Sequence, residues 1–114
     1  MKTLSKFLSI ATAVMVLFAP TIAHAGERWS STTAIIWLYP RTDGLAFKTK
    51  DHKDLSSSTC DGGRRFMVDI DHENYEVMSS ALMTAFAAGK KIKFYYTEGL
   101  RQCTVPIIRF YLYE

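Results

Sequence analysis

The stretch from Phe66 to Tyr96 carries the clearest pattern of hydrophobic and polar positions in the chain. Its first part alternates, with Phe66, Val68 and Ile70 on one side, which is typical of a strand that buries one face. Apolar residues then recur at helical spacing and form a single stripe. The members of this stripe are Tyr75, Met78, Ala81, Leu82, Ala85 and Phe86. The pattern therefore predicts a strand followed by an amphipathic helix.

Both ends of the predicted helix have recognisable signals. Asp71 is placed to cap the N-terminus, because its carboxylate can accept hydrogen bonds from backbone N–H groups two or three residues further on. Glu73 adds favourable negative charge in the same region. Gly89 suits the left-handed conformation just beyond the C-terminus, and Lys90 lies beside the negative end of the helix dipole. We expect the helix to begin just after Asp71 and to end just before Gly89.

Four further segments have strand character. Residues 34–39 and 45–49 flank a turn and predict a hairpin. Residues 91–96 and 107–113 alternate after the helix. The side chains expected to face the core from these last two strands are Ile92, Phe94, Tyr96, Ile108, Phe110 and Leu112. Those expected to face outward are Lys93, Tyr95, Arg109, Tyr111 and Tyr113.

The remaining segments are polar. Residues 26–33 predict an N-terminal arm, and residues 50–63 predict a solvated loop. The element order is then β-β-β-α-β-β, in a mainly β domain with one helix. That order is expected of an OB-fold-like, five-stranded antiparallel barrel, in which the helix closes one end of a small core. The competing architecture is an open antiparallel sheet with the helix across one face.

The first 25 residues have the features of a cleaved signal peptide. Lys2 and Lys6 precede a mostly apolar segment, and Ala23-His24-Ala25 matches an A-x-A cleavage site. The apolar segment is short for a membrane span, which needs about 20 residues. We expect a single mature domain over residues 26–114, periplasmic or secreted, without a membrane span.

Removal of the signal peptide changes the charge balance. It takes away two lysines and no acidic residue, so 14 − 2 = 12 basic residues face 11 acidic ones. A nearly neutral chain without a basic stripe in its sequence gives no electrostatic reason to expect nucleic acid as a partner.

The two cysteines, Cys60 and Cys103, both lie in the expected mature chain. An exported protein with two cysteines most often joins them, which predicts a structural disulfide. Closing a loop of that length stabilises a small domain by about 4 kcal/mol in the chain-entropy description. A reactive thiol and an intermolecular bridge are the alternatives.

The sequence offers little catalytic chemistry. The acidic run 69–73 matches neither an EF-hand loop nor a zinc motif, and a capping role accounts for part of it, so we expect no metal and no cofactor. His52, His72 and the serines at 56–58 form neither a G-x-S-x-G nor an H-E-x-x-H motif. We expect a protein that is not an enzyme, although a triad is defined by geometry and can escape sequence reasoning.

The outward aromatic residues are the more informative candidates. Tyr95, Tyr111 and Tyr113 are predicted on the face opposite the core, and Trp29 and Trp37 are placed to join them. Flat, amphipathic rings recognise sugars and partner proteins well. The alternatives are that these rings cover the edge of a small barrel, pack under the N-terminal arm, or form a subunit interface.

The run NYEVMSSALMTAFAAGKKIKFYYTEG, residues 74–99, resembles the B subunit of subtilase cytotoxin and related small secreted proteins. The shared features are a helix with an aromatic and alanine-rich stripe that ends at a glycine, then a strand with a Tyr-Tyr pair and a Glu-Gly turn. Here they are Phe86, Gly89, Tyr95-Tyr96 and Glu98-Gly99.

This resemblance implies a non-catalytic OB-fold binding module that assembles as a homopentamer, binds sialylated glycans on host cells and works with a separate catalytic A subunit. By position, Tyr96 and Thr33 match the family residues that contact the sugar. The strand alternation instead places Tyr96 toward the core and Tyr95 outside, so both tyrosines are candidates. The alternative function is a periplasmic structural or protein-interaction module without glycan binding.

Overall fold

The computed structural model describes residues 26–113, and the predicted signal peptide lies outside the described residues. Six strands and one helix follow one another in the order β-β-β-β-α-β-β. Their bounds are β1 Glu27–Trp29, β2 Ile35–Arg41, β3 Gly44–Thr49, β4 Arg65–Asp69, α1 Tyr75–Ala87, β5 Lys91–Thr97 and β6 Val105–Tyr113. The mainly β class with one helix is confirmed.

The strands form one six-stranded sheet in the order β1-β5-β6-β4-β3-β2. The prediction of five strands is wrong, because residues 27–29 of the expected arm pair with β5, where Glu27 lies opposite Thr97 and Trp29 opposite Tyr95. The prediction of a purely antiparallel sheet is also wrong. β4 and β6 run parallel, with Phe66 opposite Val105, since the helix and β5 intervene between them in the chain.

The segment between β1 and β2 continues to follow β5. The Ser30 N–H donates to the Phe94 carbonyl at 2.7 Å, and the Phe94 N–H donates to Ser30 Oγ at 2.9 Å. Thr33 and Ile92 then exchange two backbone hydrogen bonds of 2.9 and 2.8 Å. Residues from β1 to the start of β2 are therefore held along β5, although β1 and β2 stand at opposite ends of the sheet order.

The start of the helix differs from the prediction. The helix begins at Tyr75 with Asn74 in the N-cap position, so Asp71 does not cap it. Instead the Asp71 N–H donates to Asp69 Oδ1 at 2.8 Å, and the His72 N–H donates to the Asp69 carbonyl at 3.0 Å. Asp69 thus stabilises a turn at the end of β4. The helix begins only after this turn, at Tyr75 rather than just after Asp71.

The end of the helix follows the prediction. Gly89 adopts a φ of 66°. The Lys90 N–H donates to the Ala85 carbonyl at 2.8 Å, and the Gly89 N–H donates to the Phe86 carbonyl at 3.2 Å. These two bonds form a Schellman motif, which requires a left-handed residue at this position.

The core lies between the sheet and the buried side of α1, which contributes Met78, Leu82 and Ala85. The predicted inward face of β5 is confirmed, while β6 differs: Ile107 is 2% exposed and Leu112 is 44% exposed. The largest fully buried apolar and aromatic side chains are Phe47, Phe66, Phe94, Tyr96 and Leu82.

A bulge explains the altered pattern of β6. Tyr95 lies opposite Arg109 whereas the next residue, Tyr96, lies opposite Ile107, so the register shifts by one and Ile108 is the extra residue. A bulge changes the phase of the alternation. The inward face of β6 therefore begins with Val105 and Ile107 rather than with Ile108.

The predicted disulfide between Cys60 and Cys103 is confirmed, with a Cα–Cα distance of 4.7 Å. It joins the 50–63 loop to the segment that leads into β6, beside a parallel bridge between Ser58 and Gln102. Such bonds persist in oxidising compartments. Within residues 26–113, no helix has the length and apolar character needed to cross a membrane.

Candidate functional site

The three residues predicted to contact a glycan lie in two different environments. Thr33 and Tyr96 are fully buried. The Thr33 hydroxyl donates to the Ala34 carbonyl at 2.9 Å and accepts from the Asp51 N–H at 2.8 Å. Tyr95 lies on the opposite face of β5, partly exposed. The sequence candidates are therefore not brought together, and each leads to a separate group of residues.

Tyr96 belongs to a buried polar network with His52 and Asp54. Its hydroxyl donates to Asp54 Oδ2 at 2.6 Å and lies 3.0 Å from His52 Nε2. His52 is 1% exposed and Asp54 is 7% exposed. The rings of Phe66 and Phe94 pack against the imidazole, with centroid distances of 5.6 and 5.4 Å. We call His52, Asp54 and Tyr96, with Ser56 and Ser57, the buried polar network.

Two serines donate further hydrogen bonds to the Asp54 carboxylate. Ser56 donates from its backbone at 3.1 Å and from its hydroxyl at 2.6 Å. Ser57 donates in the same two ways, at 3.2 and 2.7 Å. With Tyr96, the carboxylate accepts five hydrogen bonds. Since an ionised carboxylate is an acceptor only, this set of donors fits the charged form.

The donors around His52 fix its tautomer. The backbone N–H of Ser31 donates to Nδ1 at 3.1 Å, so this nitrogen carries no proton. The proton is then on Nε2, which donates to the Tyr96 hydroxyl, and the hydroxyl donates to Asp54. In this chain of hydrogen bonds, His52 and Tyr96 are neutral and Asp54 is ionised. Every polar atom of the three side chains then has a suitable partner.

The pKa values of the three groups are consistent with this arrangement. Burial, together with the positive charge of Arg28, lowers the pKa of His52 to about 4, although Asp54 opposes the shift. Burial acts to raise the pKa of Asp54, but hydrogen bonds from Ser56, Tyr96 and Ser57 outweigh it and hold the pKa below its usual range. Burial and the hydrogen bond to Asp54 raise the pKa of Tyr96.

The 50–63 segment is a loop, as predicted, but it is solvated on one side only, because His52, Asp54 and Ser57 are buried. Its backbone passes so close to itself that a Cβ on Gly63, where φ is 83°, would lie 2.8 Å from the Leu55 nitrogen. The Gly99 N–H also donates to Ser57 Oγ at 2.8 Å. The spacing of an aspartate two and three residues before serines is a turn signal that could have indicated this.

The side chains of the buried polar network are largely enclosed. His52 and Tyr96 are almost completely enclosed, and the loop serines donate to Asp54 rather than to a histidine. Ser56 and Ser57 form no Ser-His pair of the kind that activates a nucleophile, and the histidine is approached by another serine, Ser31, whose hydroxyl lies 3.3 Å from His52 Nδ1. The arrangement can join the loop, β5 and the segment before β2 into one unit.

Tyr95 leads to the second group, an exposed aromatic face on β1, β5 and β6. The ring centroid of Trp29 lies 5.0 Å from that of Tyr95 and 5.1 Å from that of Tyr111. Tyr111 in turn lies 5.0 Å from Tyr113, and their hydroxyls are hydrogen bonded at 2.9 Å. Trp29 is 36% exposed and Tyr111 is 42% exposed. We call Trp29, Tyr95, Tyr111 and Tyr113 the aromatic face.

Arg109 lies over this aromatic face. Its guanidinium carbon is 4.4 Å from the ring centroid of Tyr95 and 5.6 Å from that of Trp29. These are cation–π distances. Interaction with the Glu27 carboxylate raises the pKa of Tyr95. The sequence places Arg109 on the outward side, but its stacking depends on the pairing of β5 with β6 and could not be read from the chain.

Trp37 does not join the aromatic face. It lies on β2 with its ring centroid 6.3 Å from that of Tyr39, and the guanidinium of Arg65 lies 5.6 Å above it. Arg65 is held by Asp61 at 2.7 Å. The outward aromatic residues therefore form two separate surfaces, of which the one around Trp29 has more rings.

The acidic run at the end of β4 forms no metal site. His72 Nε2 lies 2.7 Å from the Ile108 carbonyl, and its Nδ1 accepts from the Asn74 N–H at 3.0 Å, so both nitrogens are occupied. Among residues 26–113, no group of three His, Cys, Asp or Glu side chains is arranged to hold a metal ion. A cavity of about 510 Å³ near the helix start is lined by His72 and by neighbours from Ile70 to Val77.

No protein-family model matches the chain, and no curated protein matches it significantly. The choice between the buried polar network and the aromatic face therefore rests on their geometry. The side chains of the first are largely enclosed and hydrogen bonded to one another, and the rings of the second are partly exposed on paired strands.

Proposed function

We propose that this protein is an exported, non-catalytic binding module that recognises glycans through the aromatic face. The single observation that carries the proposal is the exposed cluster of Trp29, Tyr95 and Tyr111 on three hydrogen-bonded strands. Rings held on a sheet lose little conformational freedom on binding, and their apolar faces suit the C–H faces of sugars.

The polar edges of the aromatic face support a sugar ligand over a purely apolar one. The hydroxyls of Tyr111 and Tyr113 lie at the rim and hydrogen-bond to each other at 2.9 Å. Arg109 adds N–H donors above Tyr95. Sugars present both apolar C–H faces and hydroxyl groups, so a surface that combines rings with hydrogen-bonding edges matches both.

We also propose that the sheet curves into an OB-like barrel. β1 and β2 are consecutive in the chain, and the hydrogen bonds from Ser30 to Phe94 and from Thr33 to Ile92 hold the connection against β5. On this interpretation β1 and β2 act as one bent strand, which would reconcile six observed strands with the five of an OB-fold. The parallel pairing of β4 with β6 supports the same topology.

Assembly is the second part of the proposal. The resemblance to the toxin B subunits implies a homopentamer with a separate A subunit. An alternative is a periplasmic protein-interaction module, and it is favoured by exposed apolar side chains on α1. Val77 is 72% exposed, and Met83 and Phe86 lie one turn apart near the end of the helix with more than a third of their surface exposed. Light scattering of the purified protein separates a five-fold particle from a monomer.

Glycan-array binding tests the proposed function. We expect the disulfide-bonded protein to bind at least one glycan class and Trp29→Ala to abolish that binding, because it removes the ring that contacts both Tyr95 and Tyr111. Trp37→Ala is the matched control, since it deletes the same side chain from the other surface. A blank array, or equal loss in both variants, would refute glycan binding through the aromatic face.

A further inference from the structure

The aromatic face carries an ordered set of positive charges. The pairing of β5 with β6 places three residues of each strand directly opposite one another on its outward side. The three pairs are Lys91 with Tyr113, Lys93 with Tyr111, and Arg109 with Tyr95. Every pair combines one cation and one tyrosine. We call these pairs the cationic rows.

The cations of these rows lie outside the ion pairs of the described residues. None of the ion pairs formed within residues 26–113 involves Lys91, Lys93 or Arg109. By contrast, Arg28, Arg41 and Arg65 each bind a carboxylate. A carboxylate also lies on this side of the sheet, because Glu27 is two residues from Trp29 on β1, and it raises the pKa of Tyr95. The face therefore carries a local concentration of positive charge.

Arg109 is oriented to bind an anion. Its guanidinium carbon lies over the Tyr95 ring at 4.4 Å, which holds the charge at a fixed place on the exposed face. The N–H groups of a guanidinium can form two parallel hydrogen bonds with a carboxylate or sulfate. Such a preorganised cation loses little side-chain freedom when it binds.

The repeat of the rows indicates an extended ligand. Successive rows are two residues apart along each strand, so three rows cover about 14 Å. A single sugar would contact one row, whereas a chain of sugars can place one ring against each tyrosine and an anionic group against each cation. We propose that the ligand of the aromatic face is an anionic polysaccharide bearing carboxylate or sulfate groups, a conclusion that rests on the proposed function.

The observations favour this polymer over nucleic acid. Nucleic-acid affinity rises with the number of phosphates that are neutralised, and three cations on a nearly neutral chain supply few such contacts. Tyrosines with hydrogen-bonding hydroxyls also suit a ligand rich in hydroxyl groups. Single-stranded DNA and anionic lipid are therefore treated as competitors in the test.

The test measures binding by calorimetry of hexagalacturonate, a heparin hexasaccharide and neutral maltohexaose. We expect one of the two acidic oligosaccharides to bind at least tenfold more tightly than the neutral one, and the choice between them identifies carboxylate or sulfate. The double variant Lys91→Gln with Lys93→Gln should lower the affinity for the acidic oligosaccharide by about tenfold or more. The matched control is Lys50→Gln with Lys53→Gln, which removes two exposed loop lysines and should change affinity less than twofold.

The outcomes separate this inference from the proposed function. If maltohexaose binds as tightly as both acidic oligosaccharides, the proposal of an anionic ligand is overturned, while the proposal of glycan recognition stands. An absence of binding to all three oligosaccharides overturns the anionic polysaccharide, and if the unaltered protein also binds nothing on a glycan array, the proposed function is overturned with it. Tighter binding to a single-stranded oligonucleotide or to phosphatidylglycerol vesicles than to either acidic oligosaccharide also overturns the polysaccharide assignment.

Discussion

Tyr95 and Tyr96 are neighbours in β5, yet their hydroxyls belong to regions with opposite chemistry. Tyr96 lies in the buried polar network, where it donates to Asp54 and receives from His52. Tyr95 lies under Arg109 on the aromatic face. In the first region the polar side chains are hydrogen bonded to one another inside the protein, and in the second the cations form no ion pair among the described residues. The first region stabilises the fold, and the second is available to a ligand.

The same comparison explains why the two regions respond differently to substitution. A buried group that loses its partner bears the full cost of having left water, whereas an exposed group regains water at little cost. Changes in the buried polar network should therefore alter the free energy of unfolding, and changes on the aromatic face should alter binding. Three stability predictions test this division.

The largest effect is expected for Asp54→Ala. The substitution removes the acceptor of five hydrogen bonds and leaves the O–H groups of Tyr96 and Ser57 buried without an acceptor. We expect the free energy of unfolding to fall by about 4 kcal/mol in urea denaturation.

Asp71→Ala is the control for this experiment. Asp71 is exposed and does not cap the helix, so its substitution should change stability by less than about 0.5 kcal/mol. A small effect of Asp54→Ala would mean that the loop is not fixed by the buried polar network. A large effect of Asp71→Ala would restore the capping role that the sequence predicts.

The second effect is a dependence of stability on pH. The pKa of His52 is lowered from 6.5 to about 4 in the folded protein, so the unfolded chain takes up the proton first as the pH falls. The stabilisation is complete above about pH 6.5 and is lost progressively toward pH 4, by about 3 kcal/mol in total. Urea denaturation at intervals over this range measures it.

His52→Gln provides the comparison for the pH series. Glutamine keeps an acceptor for the Ser31 N–H and a donor for Tyr96 but has no proton to gain in this range. We expect the slope between pH 6.5 and 4 to flatten in this variant. An unchanged slope would assign the pH dependence to other groups and would separate His52 from the stability of the loop.

Some of this organisation can be predicted from sequence because it is local. The alternation of β5 gives the inward direction of Tyr96 and the outward direction of Tyr95, and Gly89 gives the end of the helix. The disulfide follows from a count of two cysteines. In each case the signal lies within a few residues, or it follows from side-chain chemistry that does not depend on how the strands pair.

The rest depends on pairing between distant segments. Ile107 replaces Ile108 in the core because a bulge shifts the register opposite Tyr95 and Tyr96. β1 forms because β5 extends to Thr97 and has a free edge with which residues 27–29 can pair. The burial of Asp54 requires the loop to fold back onto β5, 42 residues away in the chain. The cationic rows also exist only once β5 and β6 are in register.

The smallest effect on stability is expected when the hydroxyl groups of the two tyrosines are removed in turn. Tyr96→Phe removes one hydroxyl from between His52 and Asp54, and we expect a loss of about 2 kcal/mol in the free energy of unfolding, since both partners stay buried. Tyr95→Phe removes a hydroxyl at the surface, and the stability should change by less than about 0.5 kcal/mol. Binding should follow the reverse order, with glycan affinity reduced in Tyr95→Phe and kept in Tyr96→Phe, when both are measured on folded protein at pH 7. If Tyr96→Phe weakened binding as much as Tyr95→Phe, the two regions would be coupled, and the loop would have to be counted as part of the ligand site.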